Sequence, residues 1–119
     1  MSPLPIIDLE AIENLRALSP DDGDVFLKEI LGIFIEDTPV RIAELHAHRT
    51  SGDATAFARA AHSIKGSSSN VGASELRSIA EKLEHHSRQH GIEGSDEQVA
   101  ELEAAFKRAS TSLQKYITR

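Results

Sequence analysis

Val99, Leu102, Phe106, Ala109, Leu113 and Tyr116 follow one another in alternating steps of three and four. That spacing lays a continuous apolar seam along one side of an α-helix and packs it against neighbouring helices. A strand needs alternation every second residue, and no alternation of useful length occurs anywhere in the chain. Ser95, with Gln98 three places on, has the pattern of a capping box that starts this helix.

The same logic divides the rest of the chain. Asp8 is placed to cap a short first helix, with Ile7 and Ile12 as a hydrophobic staple and Ile12 and Leu15 as its docking face. Ser19-Pro20-Asp21-Asp22-Gly23-Asp24 interrupts the pattern and offers several capping side chains. From about Val25 to His48, Leu27, Leu31, Phe34, Ile42 and Leu45 keep the helical period, widened by Ile30 and Ile35. Pro39 lies inside this run and predicts a kink near Ile35 to Pro39 rather than two helices. Gly52 suits the left-handed end of that helix and Asp53 the cap of the next, predicted over about Ala54 to Asn70. Gly72 stops it. A further helix from about Ser74 to His90 has its seam at Leu76, Ile79, Ala80 and Leu83, with Gly91 and Gly94 in the following turn. Short loops make successive long helices antiparallel. The predicted fold class is all-α, an antiparallel four-helix bundle with a short additional N-terminal helix. A single domain over residues 1–119 is expected, packed over about residues 25–117, with residues 1–7 flexible.

Composition supports this and removes several functions. With no Trp, one Tyr and four Phe, the core must be built from Leu, Ile, Val and Ala, of which Leu and Ala favour helix. There is no cysteine, hence no disulfide and no thiolate metal site, which fits a reducing compartment. A net charge of −6 argues against generic nucleic-acid binding, which relies on basic patches. No apolar run approaches the roughly 20 residues that span a bilayer. Nor does the N-terminus have the basic start and long apolar stretch of a signal peptide. A cytoplasmic domain without membrane contact is the expectation.

The stretch His62-Ser63-Ile64-Lys65-Gly66-Ser67-Ser68-Ser69-Asn70-Val71-Gly72-Ala73 carries the chemistry. At roughly 100° per residue, with His62 at zero, Phe57, Ala60, Ile64 and Val71 fall on the opposite side of the helix. Thr55, Ala58, Arg59, Lys65, Gly66 and Ser69 fall within roughly 60° of the histidine. His62 is therefore predicted on an exposed, small-residue, basic stripe. Imidazole is a good phosphoryl acceptor near neutral pH, because a sizeable fraction of it is unprotonated and nucleophilic. Phosphoryl transfer needs in-line approach and stabilisation of the equatorial oxygens, and little else from the protein. Lys65, one turn along, can bring a cation to those oxygens. Gly66 keeps the surface beside His62 low for a bulky partner. A mid-helix glycine costs about 1 kcal/mol relative to alanine, so it asks for such a reason.

This stretch resembles the histidine-containing phosphotransfer (HPt) family of two-component phosphorelays. The match lies in the His62, Lys65 and Gly66 spacing and the later Gly72-Ala73. Phe34 on the helix before the motif and Leu83-Glu84 on the helix after it agree. The resemblance covers roughly residues 25 to 115 and implies a helical bundle whose exposed histidine exchanges a phosphoryl group with a receiver aspartate. It implies that His62 is the phosphoacceptor, Lys65 assists electrostatically and Gly66 provides clearance. It also implies that Glu84, on the next helix, holds the other imidazole nitrogen. Arg88, one turn beyond Glu84, can touch the receiver or pair with Glu84. Arg59 and Ser69 would lie at the rim of the partner surface. Ser69 and Asn70 make the stretch more polar than in many relatives.

The implied function is a phosphorelay phosphocarrier without autokinase activity, since no phosphate-cradling Gly-rich loop is present. Its partners would be response-regulator receiver domains and a sensor or hybrid histidine kinase. No cofactor is expected, magnesium belonging to the receiver, and the domain is expected to be monomeric. It would be free-standing or the cytoplasmic end of a membrane-bound hybrid kinase. Two rivals stand beside it. One is a helical module that binds a kinase or receiver without carrying phosphate. The other is a metalloprotein using His86 and His90, whose i, i+4 spacing can ligate a metal. No third ligand is evident near that pair, and His46, His48 and His85 have the pattern of exposed helix residues.

Overall fold

The computed structural model describes residues 4–118. Within them the chain forms five helices and no strand: α1 (Leu9–Ala17), α2 (Val25–Ser51), α3 (Ala54–Asn70), α4 (Ser74–His90) and α5 (Asp96–Ile117). The four long helices close a ring, α2 on α3, α3 on α4, α4 on α5 and α5 on α2, while α1 lies against α2. Cross-links show that α2 and α5 run antiparallel. Arg49 near the end of α2 pairs with Asp96 at the start of α5, and Phe34 meets Phe106 with ring centroids 5.9 Å apart. The predicted four-helix bundle with an extra N-terminal helix is the observed fold.

Local chemistry accounts for most helix ends. The Asp8 carboxylate accepts from the Glu10 N–H at 3.0 Å, and Asp53 accepts from the Ala56 N–H at 3.0 Å. Both are side-chain N-caps that satisfy otherwise orphaned donors. Gly52 ends α2 at φ +77°, a left-handed conformation that glycine adopts without a Cβ clash. Asp22 caps α2 through the Phe26 N–H at 3.0 Å. The helix then runs through Pro39 as one 27-residue element, and the buried Thr38 hydroxyl donates to the Phe34 carbonyl at 2.7 Å in the same turn.

The capping box at α5 does not form. The helix starts where expected, at Asp96, but the Ser95 side chain makes no cap hydrogen bond. The Ser95 N–H, which Gln98 would have served, donates instead to the Ile92 carbonyl at 3.1 Å. Ser95 Oγ and Gln98 Oε1 are left buried without a hydrogen-bond partner among the described residues.

One core joins all five helices, including Ile12, Leu31, Phe34, Phe57, Ile64, Leu83, Leu102 and Leu113. Ile12 is a core residue of α1, so the packed body extends N-terminally beyond the expected 25–117. Of the stretch 1–7 expected to be flexible, residues 1–3 lie outside the described residues. Ile6 and Ile7 pack against the core, and the Pro5 carbonyl accepts from the Glu75 N–H at 3.1 Å. The Asp8 N–H donates to the Gly72 carbonyl at 2.7 Å. The N-terminal segment is thus fastened across the α3–α4 turn, and Arg16 holds the other end of α1 to Asp24 at 2.8 Å.

Candidate functional site

The α3 face opposite the core carries His62, whose side chain is 60% exposed. Phe57, Ala60, Ile64 and Val71 are buried on the other side, as the angular count requires. Arg59, Gly66 and Ser69 are exposed. Ala58 departs from the expectation: it is 1% exposed. The reason is tertiary, because α3 is flanked on that side by α4, and Ala58 lines a cleft with Ala54, Thr55, Ser87 and Arg88. A Cβ built on Gly66 meets no atom within 4 Å. The glycine therefore fills no packing niche and leaves the surface beside His62 low.

Glu84 reaches this face from α4. It is buried, and three side chains converge on its carboxylate. Oε2 lies 2.9 Å from His62 Nδ1, while Arg88 donates to the same oxygen from Nε at 3.1 Å and Nη2 at 3.0 Å. Lys65 Nζ lies 2.8 Å from Oε1. Burial alone would raise the Glu84 pKa, but hydrogen bonds from Lys65, Arg88 and His62 outweigh it and hold the carboxyl below its usual range. Glu84 is therefore ionised at neutral pH and can only accept. The proton between it and His62 belongs to Nδ1, leaving the Nε2 lone pair of the neutral ring unprotonated.

This arrangement resolves one open point. Arg88 could touch a partner or pair with Glu84, and it pairs with Glu84, whose carboxylate contacts His62 and Arg88 together. The ammonium of Lys65, expected to assist an incoming phosphoryl group, is directed at Glu84 in this structure. That ion pair between i+3 of the histidine and the next helix has no sequence signal, since helix spacing reports only on the residue's own helix.

Three further histidines gather elsewhere. His85, His86 and His90 line an open cavity of about 470 Å³ with Gln98 of α5. The His86 and His90 rings lie 5.3 Å apart, and His86 Nε2 donates to the Glu93 carbonyl at 3.0 Å. No group of three or more metal-ligating side chains is assembled among the described residues. His46, expected to be exposed, is half-buried and paired with Glu103. No helix among the described residues is long and apolar enough to cross a membrane.

Comparison with known proteins gives one consistent answer. Residues 29–112 match the Hpt domain family. Histidine-containing phosphotransfer protein 2 of Arabidopsis thaliana is 28% identical over 104 residues, covering 85% of this chain and 67% of that protein. Multistep phosphorelay regulator 1 of Schizosaccharomyces pombe is 26% identical over 81 residues; the match covers 68% of this chain but only 28% of that larger protein. The crystal structure of histidine-containing phosphotransfer protein B from Pseudomonas aeruginosa PAO1 superposes with a TM-score of 0.88 at 28% identity, covering 97% of this chain and 96% of the other. With the family matched over most of its length and the fold shared almost end to end, the chain belongs to the Hpt family of histidine-containing phosphotransfer domains, the phosphocarriers of phosphorelays.

Proposed function

We propose that His62 is the phosphoacceptor and that it exchanges its phosphoryl group with the aspartate of a receiver domain. The observation that carries this is the Nδ1 contact with Glu84 at 2.9 Å on a ring that is otherwise open to solvent. The Nε2 lone pair attacks phosphorus in line, forming a P–N bond. The P–O bond to the receiver carboxylate breaks, and its electron pair returns to that carboxylate. The Nδ1 proton stays on the ring, shared with Glu84, whose negative charge offsets the positive charge the ring gains on phosphorylation. Donation to the next receiver is the same step reversed.

Lys65 and Arg88 hold Glu84 and leave the face with an excess of positive charge, which suits a group arriving with about two negative charges. Gly66 gives the partner room. Ser69 and the outer edge of Arg88 form the rim that a partner touches, and Arg59 borders His62 on the same face. The phosphoryl group comes from that partner. Magnesium is assigned to the receiver. A monomer in the cytoplasm, served by a sensor or hybrid kinase, completes the reading.

The test is labelling by a phosphorylated receiver. Acid-labile, alkali-stable label should appear on the wild-type chain and be absent in His62→Gln. Label that persists in the variant would remove His62 from the mechanism. A chain that binds receiver but never takes label would be an interaction module instead.

A further inference from the structure

Three cations share the face of His62, and two of them are already engaged. Lys65 Nζ is 2.8 Å from one Glu84 oxygen, and Arg88 grips the other through two nitrogens. Arg59, three residues before His62, is exposed, and among the described residues it makes no hydrogen bond or ion pair. Positions three apart on a helix have Cβ atoms about 5–6 Å from one another, well within the reach of a guanidinium. Lys65 has two further N–H groups, but its ammonium is drawn to the carboxylate of a residue that is 8% exposed, and moving off it would leave the remaining donors to carry a buried charge. Arg59 breaks nothing when it binds. Its planar fork also matches two phosphoryl oxygens in a fixed parallel geometry that an ammonium lacks.

We infer that Arg59 is the side chain that binds the phosphoryl oxygens on His62, while Lys65 and Arg88 act through Glu84. The inference rests on His62 being the phosphoacceptor. In the transfer step Arg59 exchanges no proton and forms no bond. It donates N–H groups to two equatorial oxygens as the P–N bond forms and the P–O bond to the donor breaks.

The experiment uses the full chain and a small phosphodonor, phosphoramidate, so that no protein partner contributes. Rates of phosphohistidine formation and hydrolysis are measured for Arg59→Gln, Arg59→Lys and Lys65→Gln, each alone and in a Glu84→Gln background. Arg59→Gln should be phosphorylated about two- to fivefold more slowly, the size of one solvent-facing ion pair. Arg59→Lys should recover part of that loss, and raised salt should shrink the difference. The Arg59→Gln effect should persist in Glu84→Gln, whereas the Lys65→Gln effect should vanish there, because its route through the carboxylate is gone. Unchanged labelling of Arg59→Gln would overturn the inference. So would a loss seen only with a phosphorylated receiver, which would put Arg59 on the partner instead. Label surviving in His62→Gln would mark failure of the underlying reading, not of this assignment.

Discussion

Glu84 Oε2 stands 2.9 Å from His62 Nδ1, although the two residues are 22 positions apart on different helices. The consequence is chemical. An ionised, nearly buried carboxylate dictates which ring nitrogen carries the proton, and so which one faces a partner with its lone pair. A histidine exposed on a helix with no such neighbour would be free to turn and to change tautomer.

Removing the acceptor should therefore separate orientation from nucleophilicity. Glu84→Ala is expected to lower the rate of phosphoryl acceptance about tenfold or more, the loss typical of a misplaced reacting group. Nitrogen-15 spectra of the ring should show a smaller fraction protonated at Nδ1. A variant with wild-type kinetics and an unaltered tautomer would show that Glu84 merely packs.

The same carboxylate makes stability depend on acid. Its folded-state pKa lies below the unfolded value, because Lys65, Arg88 and His62 together overcome its burial. In the window between the two, the unfolded chain binds more protons, so stability rises with pH there. The contribution is complete above the unfolded glutamate value of about 4.3 and is lost as pH falls through the folded one. Melting temperatures of wild type and Glu84→Gln should differ most at pH 6–7 and converge toward pH 3. Parallel curves would detach the cluster from acid stability.

Gly66 gives opposite predictions for fold and function. Its Cβ would enter open space, so Gly66→Ala should stabilise the domain by about 0.5–1 kcal/mol through helix propensity. Gly66→Gln should leave the melting temperature nearly unchanged yet slow transfer from a receiver, because the added side chain stands on the docking face. A large stability loss in Gly66→Gln would contradict the exposed placement.

The helices and the facing of α3 were legible from the chain because caps, breakers and the 3.6 period act locally. Asp8, Gly52 and Asp53 do what their residue types favour. What escaped was tertiary. An angular count places the core opposite His62 but does not say on which flank the next helix lies, so Ala58 was put among exposed residues. The Lys65–Glu84 pair needs the register of α3 against α4, which no single-helix pattern contains. At Ser95 a local motif lost to local competition, since the N–H that the capping box needs was taken by the Ile92 carbonyl.

Gly72 shows how a residue that seemed only to stop a helix also fixes the N-terminus. Its φ of +75° is left-handed, which costs an L-residue about 1–2 kcal/mol. A Cβ there would lie 2.6 Å from the Ala11 Cβ and 2.9 Å from the Asp8 carbonyl oxygen. Neither neighbour can yield without moving α1 and its hydrogen bonds from Asp8 to Gly72 and from Glu75 to Pro5. Gly72→Ala should therefore destabilise the domain by about 2–4 kcal/mol, combining backbone strain with overpacking. Urea denaturation measures that loss, and hydrogen exchange should show the amides of Asp8 and Glu75 losing protection together. Adding Ala11→Gly removes the side-chain overlap but neither the left-handed strain nor the contact with the Asp8 carbonyl, so recovery should be partial. Full recovery would assign the whole effect to the Ala11 contact, and no loss in Gly72→Ala would mean that α1 does not sit on this turn.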